Sequence, residues 1–218
     1  MTAHVPIYVV VETGKKRVFA SVLDWPGWCR SARNEEGALD ALARYAPRYA
    51  PVATAAGLRL PDSDVFEVVE HLSGDTTTDF GAPSAPAHAE LADLTPAAAE
   101  RLADLMLASW AQLAEVGRSA PESLRKGPRG GGRDRDAVVQ HVCNAEAAYA
   151  RKAGLRLRAP DFDDASAVDA FHGELAQLVR ASRLGPPSTE TGWPVRYAVR
   201  RMVWHVLDHV WEIQDRSD

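Results

Sequence analysis

Apolar and polar positions change their rhythm about a third of the way along the chain. In the first third they come in short, strand-like runs. IYVVV (7–11) is β-branched, the polar turn ETGKKR follows, and VFASVLD (18–24) alternates apolar with small or polar residues. Two such runs around a glycine-containing turn predict a hairpin. Pro26 and Gly27 interrupt the pattern in DWPGWC (24–29). Asn34 then stands as an N-cap before EEGALDALARYAPRYA, with Glu35 and Glu36 in the first turn, where carboxylates favour the positive end of the helix dipole. Leu39, Leu42, Ala43 and Ala46 supply an apolar stripe, and Pro47 is expected to end this helix or to sit near its end. VFEVVEHL (65–72) alternates again and reads as another strand.

SGDTTTDFGAPSAPAHAEL (73–91) has no period and is rich in Gly, Ser, Thr and Pro, so it reads as a linker. Beyond it the period becomes helical. Thr95 and Pro96 form an N-cap and first-turn pair opening a helix that Gly117 should close. Asp134 or Asp136 caps DAVVQHVCNAEAAYARKAG, closed by Gly154. Asp164 or Ser166 opens a third helix, closed by Gly185 and Pro186-Pro187, and Pro194 opens VRYAVRRMVWHVLDHVWEIQDR. Four amphipathic helices of similar length, each about 30 Å long, read most simply as a four-helix bundle. The expected class is therefore α+β, with a small β-sheet-plus-helix unit over 1–72, a linker over 73–91 and a helical bundle over 92–218.

Composition narrows the setting. The 218 residues are 46% hydrophobic and 25% charged, ordinary for a globular chain that can bury a core without disulfide staples. Two distant cysteines, Cys29 and Cys143, with no CxxC spacing, suggest a reducing, cytoplasmic setting. The N-terminal residues show no signal-peptide pattern, and no window approaches the apolar length of a membrane span. A net charge of -5 argues against a nucleic-acid partner.

The chemistry concentrates at the end of the chain, in WHVLDHVWEIQD (204–215). His205 and His209 are four residues apart, so they project about 40° from one another on a helix. Met202, Val203, Val206, Val210 and Ile213 fall between about 60° and 160° on the same scale, so the histidines flank the apolar stripe. This spacing lets two imidazoles reach one ion. His141 borders the stripe of the second bundle helix in the same way, with Val138, Val142, Ala145 and Tyr149 between about 40° and 100° from it. Two helices packed by their stripes bring such border residues together, and three ligands leave an open position for water or substrate. The competing reading is three hydrogen-bonded border histidines with no ion. Asp208 and Glu212 are candidates for holding a ligand histidine in its tautomer, and Arg201, one turn before His205, for meeting an anionic substrate. Each is also an ordinary solvated charge. Cys143 lies about 160° from His141 and reads as packing, as does Glu146. His172 has no partner at metal spacing, and His4, His71 and His88 carry no assignment. The glycine-rich basic loop RKGPRGGGRDRD (125–136) lacks a P-loop ending and reads as a flexible segment.

VVQHVCNAEAAYARKAG and WHVLDHVWEIQDR resemble the histidine-bearing second and last helices of the DinB-like (YfiT-like) four-helix-bundle superfamily, over roughly residues 90 to 218. The resemblance implies a divalent metal, zinc or nickel, on His141, His205 and His209. More weakly, it implies a reaction of a low-molecular-weight thiol such as mycothiol, in an S-transferase or isomerase acting on a small-molecule substrate. YVVV…FASVLDWPGWC…NEEGALDAL is similar to the HicB-like β-sheet-plus-helix module, although Trp28 intervenes before Cys29 and no DNA-binding element follows. Trp25 and Trp28 suit any of three settings: the bundle, a second subunit in a homodimer, or a local core. Two functional classes stay open: a metal-dependent thiol enzyme, and a non-enzymatic interaction module with a structural or vestigial metal site.

Overall fold

The computed structural model describes residues 6–61, 65–127, 130–181 and 192–217. The alternating N-terminal runs form β1 (Ile7–Thr13), β2 (Val18–Val22), β3 (Cys29–Ala32) and β4 (Phe66–Ser73), with α1 (Glu35–Ala55) between the last two. The sheet order is β3-β2-β1-β4. The predicted hairpin pairs Val9 with Val22 and Thr13 with Val18, and β4 joins the other side of β1 in parallel. The helical part holds α2 (Thr76–Phe80), a 3₁₀ turn at His88–Leu91, α3 (Pro96–Ser119), α4 (Arg135–Lys152), α5 (Ala165–Ala181) and α6 (Val195–Arg216). The chain is thus an α+β protein, a mixed sheet followed by a helical unit.

Both faces of the sheet are covered, which is why β2 is buried at every position. Val9, Val11, Val18, Ala20 and Val22 join the main core with Leu42 and Tyr49 of α1. Phe19 lies on the opposite face, edge-on to Trp204 of α6. One continuous apolar core runs from β1 through α1 into α3, α4, α5 and α6, so the two halves are not separated by solvent. The turn at Pro26-Gly27 sits at this joint. Gly27 has φ +90, and a Cβ there would lie 2.7 Å from both Val203 Cγ1 and Leu207 Cδ1. Only glycine combines that backbone with so close an approach. Trp28 is local core: it stacks on Tyr49 and donates to the Leu42 carbonyl, and the Tyr49 hydroxyl donates to the Pro26 carbonyl. Trp25 meets Tyr49 edge-on and also packs against the bundle, with the Arg101 guanidinium of α3 4.2 Å from its ring centroid.

Three expectations change. α1 does not end near Pro47; it continues through Pro47 and Pro51 to Ala55. Each proline removes one N–H from the ladder. The burial of Tyr49, Val52 and Ala53 on the inner face holds the helix together past them. α3 likewise passes Gly117 and ends at Ser119. The third change concerns 73–91, which is built into the structure. Glu12 of β1, almost fully buried, accepts from the backbone N–H groups of Ser84 and Ala85 and from the Thr78 hydroxyl. Glu90 is buried too, and Arg200 of α6 grips it with Nε on Oε1 at 2.6 Å and Nη2 on Oε2 at 2.9 Å. Composition alone hid this, because polar residues that satisfy buried backbone look like linker residues in sequence.

Other boundaries agree with their caps. Asn34 accepts from Gly37 N–H, Thr95 from Ala98 N–H and Asp164 from Ala167 N–H. Asp134 precedes α4, but its carboxylate accepts from Leu124 N–H and Lys126 instead of capping. The described part of loop 125–136 is tied to the end of α6: Arg125 N–H donates to the Arg216 carbonyl, and Arg216 donates to the carbonyls of Arg125 and Arg133. The expected stop at Gly185 and Pro186-Pro187 lies outside the described residues. α3 packs against α5 and α6, and α4 against α6. No helix among the described residues is long and apolar enough to cross a membrane.

Removing one member of the Arg200–Glu90 pair leaves a buried charge without its partner, which typically costs about 3–5 kcal/mol. Arg200→Met is expected to lose that much in urea unfolding, and Arg200→Met with Glu90→Leu to recover most of it. A double variant as unstable as the two singles summed would count against the pair as the joint.

Candidate metal centre

α6 is exceptional in being buried almost all round its first three turns, because sheet and bundle cover it from different sides. Its two histidines lie where this burial ends. His205 is buried and His209 half-buried, and α4 packs alongside with the half-buried His141. One nitrogen from each of the three falls within 4.8 Å of the others. Ring centroids are 5.1 Å apart for His141–His205 and for His141–His209, and 4.5 Å apart for His205–His209. No other such cluster of His, Cys, Asp and Glu occurs among the described residues.

Proton placement decides what the cluster can hold. Glu212 accepts from His209 Nδ1 at 2.7 Å and from Arg216. A carboxylate only accepts, so Nδ1 carries a proton, and in the neutral ring Nε2 keeps its lone pair. Hydrogen bonding by His209 first, and by Arg216 further down, holds the Glu212 carboxyl below its usual range, so it is an ionised anchor. His209 Nε2 lies 3.2 Å from His205 Nε2. Two nitrogens bound to one tetrahedral ion at 2.0–2.1 Å are about 3.3 Å apart, so this spacing already suits two ligands of one ion. Without an ion, His205 must place its proton between the two lone pairs.

The surroundings favour neutral His141 and His205. Burial first, then His209, His141 and the Arg201 cation, push His205 down to about 2. Burial, His209 and Arg133 lower His141. Neutral imidazole is the metal-binding form, so this electrostatic pattern favours ligation. His205 Nδ1 is buried with no hydrogen-bond partner.

The remaining expected residues divide. Glu212 reaches a ligand histidine, as above. Asp208 does not: it pairs with Arg30 of β3 at 2.9 Å, across the joint with the sheet. Arg201 is no surface charge. It is 4% exposed, its guanidinium lies over the rings of Tyr149, Trp193 and Trp204, and Nη2 donates to the Tyr149 hydroxyl. Its Nε and Nη1 are buried without partners. Tyr149 also meets His205 edge-on, so it stands between the cation and the cluster. A buried cation compensated mainly by π-faces makes the region favourable for an anion.

Sequence reasoning missed a second polar cluster. Glu146 is fully buried and accepts from Trp110 Nε1 of α3 and from His172 Nε2 of α5. A signal existed: Glu146 continues the Val139, Val142, Cys143 stripe, where a carboxylate must find partners. Cys143 packs as expected, and burial, then the Glu146 charge, push its thiol up to about 12.

No protein-family model, no curated protein and no solved structure matches this chain. Fold and site together therefore define it by class only: an α+β protein in which three histidines from two helices are placed to hold one metal ion.

Zinc or cobalt(II) titration of the metal-free protein is expected to show one site per chain, lost in His205→Ala and in His209→Ala. Glu212→Gln should weaken it by about 10–100-fold, the usual cost of removing a partner that orients a ligand histidine. Equal metal content in parent and histidine variants would dismiss the centre.

Proposed function

We propose that the protein is a divalent-metal protein of the DinB-like class that acts on a small electrophilic substrate with a low-molecular-weight thiol. The reading is carried by one observation above the rest, the 3.2 Å approach of His205 and His209 Nε2 with His141 facing them from α4. The resemblance of the α4 and α6 sequences to that superfamily supports it, since the three residues occupy the positions the resemblance implies. Zinc or nickel is the proposed ion, since imidazole nitrogens suit both.

When bound, such an ion supplies Lewis acidity and makes a coordinated thiol a nucleophile near neutral pH. The chain's own residues do the rest. Glu212 holds His209 in the tautomer that presents Nε2. His141, kept neutral by burial, presents a lone pair without first losing a proton, and neutral His205 presents Nε2 once its proton moves to Nδ1. Arg201 provides a fixed positive field one turn from His205, which favours a thiolate or a substrate carboxylate over its protonated form. Tyr149, which accepts from Arg201, places a hydroxyl beside the same ring.

A second reading, an interaction module with a structural ion and a HicB-like N-terminal unit, is favoured by one fact. Among the cavities lined by described residues, those of about 720, 700 and 320 Å³ are not lined by His141, His205 or His209. Thiol binding separates the two. Mycothiol or N-acetylcysteine added to cobalt-loaded protein should produce a sulfur-to-metal charge-transfer band. Arg201→Met should weaken the thiol's apparent affinity by roughly tenfold, the size of one charge-assisted interaction. Tight cobalt binding with no thiol band would favour the structural ion.

A further inference from the structure

We infer that the gap between α3, α4 and α5 is a second binding site, independent of the histidine cluster, for a small, neutral, flat apolar molecule that offers a hydroxyl or amino donor to His172. The cavity measures about 720 Å³, within the range of sites that enclose a small ligand. It lies between α3, the first half of α4 and α5. Its walls include Leu107, Leu113, Val139, Phe162 and Val168.

The polar end of the cavity is built. His172 stacks on Trp110, with ring centroids 4.0 Å apart and planes 8° apart. His172 Nε2 meets Glu146 Oε2 at 3.2 Å, and the other carboxylate oxygen takes the Trp110 N–H. In the tautomer whose Nε2 donates to Glu146, the His172 imidazole keeps Nδ1 as an acceptor. That nitrogen has no hydrogen-bond partner among the described residues, and His172 lines the cavity. A donor group on a ligand completes it.

Charge around the cavity excludes an anion. Asp136, Asp163 and Asp169 line the space, and Glu146, fully buried, lies behind His172 and Trp110. The two cations at the rim are already engaged, Arg118 with Glu115 and Arg135 with Asp136 and the Ala120 carbonyl. Gly173 supports an open cavity in a different way. It sits within α5 and lines the space, and a Cβ added there meets nothing within 4 Å. Glycine weakens a helix relative to residues with a side chain, so its position is not explained by the helix itself.

The test uses N-phenyl-1-naphthylamine, an apolar fluorophore with one N–H donor, on the full chain. Saturable enhancement is expected in the parent and in the His205→Ala, His209→Ala double variant. Gly173→Leu fills the cavity and improves the helix, and it should bind the probe at least about fivefold more weakly, since the added side chain takes the ligand's place. 2-Naphthol should displace the probe roughly 2–10-fold better than naphthalene, the worth of one hydrogen bond. His172→Phe, which keeps a ring on Trp110, should erase that preference. Equal binding by parent and Gly173→Leu, equal displacement by 2-naphthol and naphthalene, or loss of binding in the double histidine variant would each overturn the site. The last result would place the probe at the histidine cluster, whereas failure of metal binding alone leaves the cavity untouched.

Discussion

The buried ion pair between Arg200 and Glu90 is the interaction on which the rest depends. α6 has to serve two partners at once, the second face of the sheet and the bundle. A helix buried on opposite sides cannot keep all its charged residues in water. Arg200 therefore ends up against the sheet, where it is satisfied by both oxygens of Glu90, the Ala85 carbonyl and the Ser21 hydroxyl. Isolated, such a charge would be prohibitive; paired and fully hydrogen-bonded, it fixes one docking geometry instead of many. Segment 73–91 exists in its observed form because it must deliver Glu90 to that place and cover Glu12 on the way.

The metal centre follows from the same constraint. With Arg200 fixed against the sheet, the helical repeat turns Arg201 and His205 toward α4, with His209 one turn further on. Arg30 and Asp208 close the sheet side of the next turn, which leaves Glu212 to orient His209. Positive charge and burial then act together on the imidazoles. Both favour the neutral form of His141 and His205, so these two ligands are prepared for a cation by their surroundings and not only by their spacing. The polar cluster on the other side of α4 obeys the same rule: Glu146 is tolerated in the core because Trp110 and His172 satisfy it.

Much of this was legible in the chain because it depends on local period. The hairpin, the start of α1, the four long helices and the border position of His141, His205 and His209 all follow from spacing and caps. The errors share a physical cause. Pro47 was read by its local effect on a helix, and the packing of Tyr49, Val52 and Ala53 outweighed it. Asp208 and Glu212 are equivalent as sequence, both polar neighbours of a histidine. Only the position of Arg30 on β3 separates them. His172 and Glu146 were set aside because neither has a partner within its own helix.

The sequence by itself determined which residues share a helix face or a strand face, since periods of 3.6 and 2.0 are properties of the backbone. It therefore placed the three histidines beside the apolar stripes of two helices and made a shared ion conceivable. Tertiary structure alone decided that the stripes meet, that Arg201 is buried and Asp208 is not available, and that 73–91 is a fitted joint. Those outcomes depend on distances between elements far apart in the chain, and on which buried charge finds which partner. Local pattern carries no information about either.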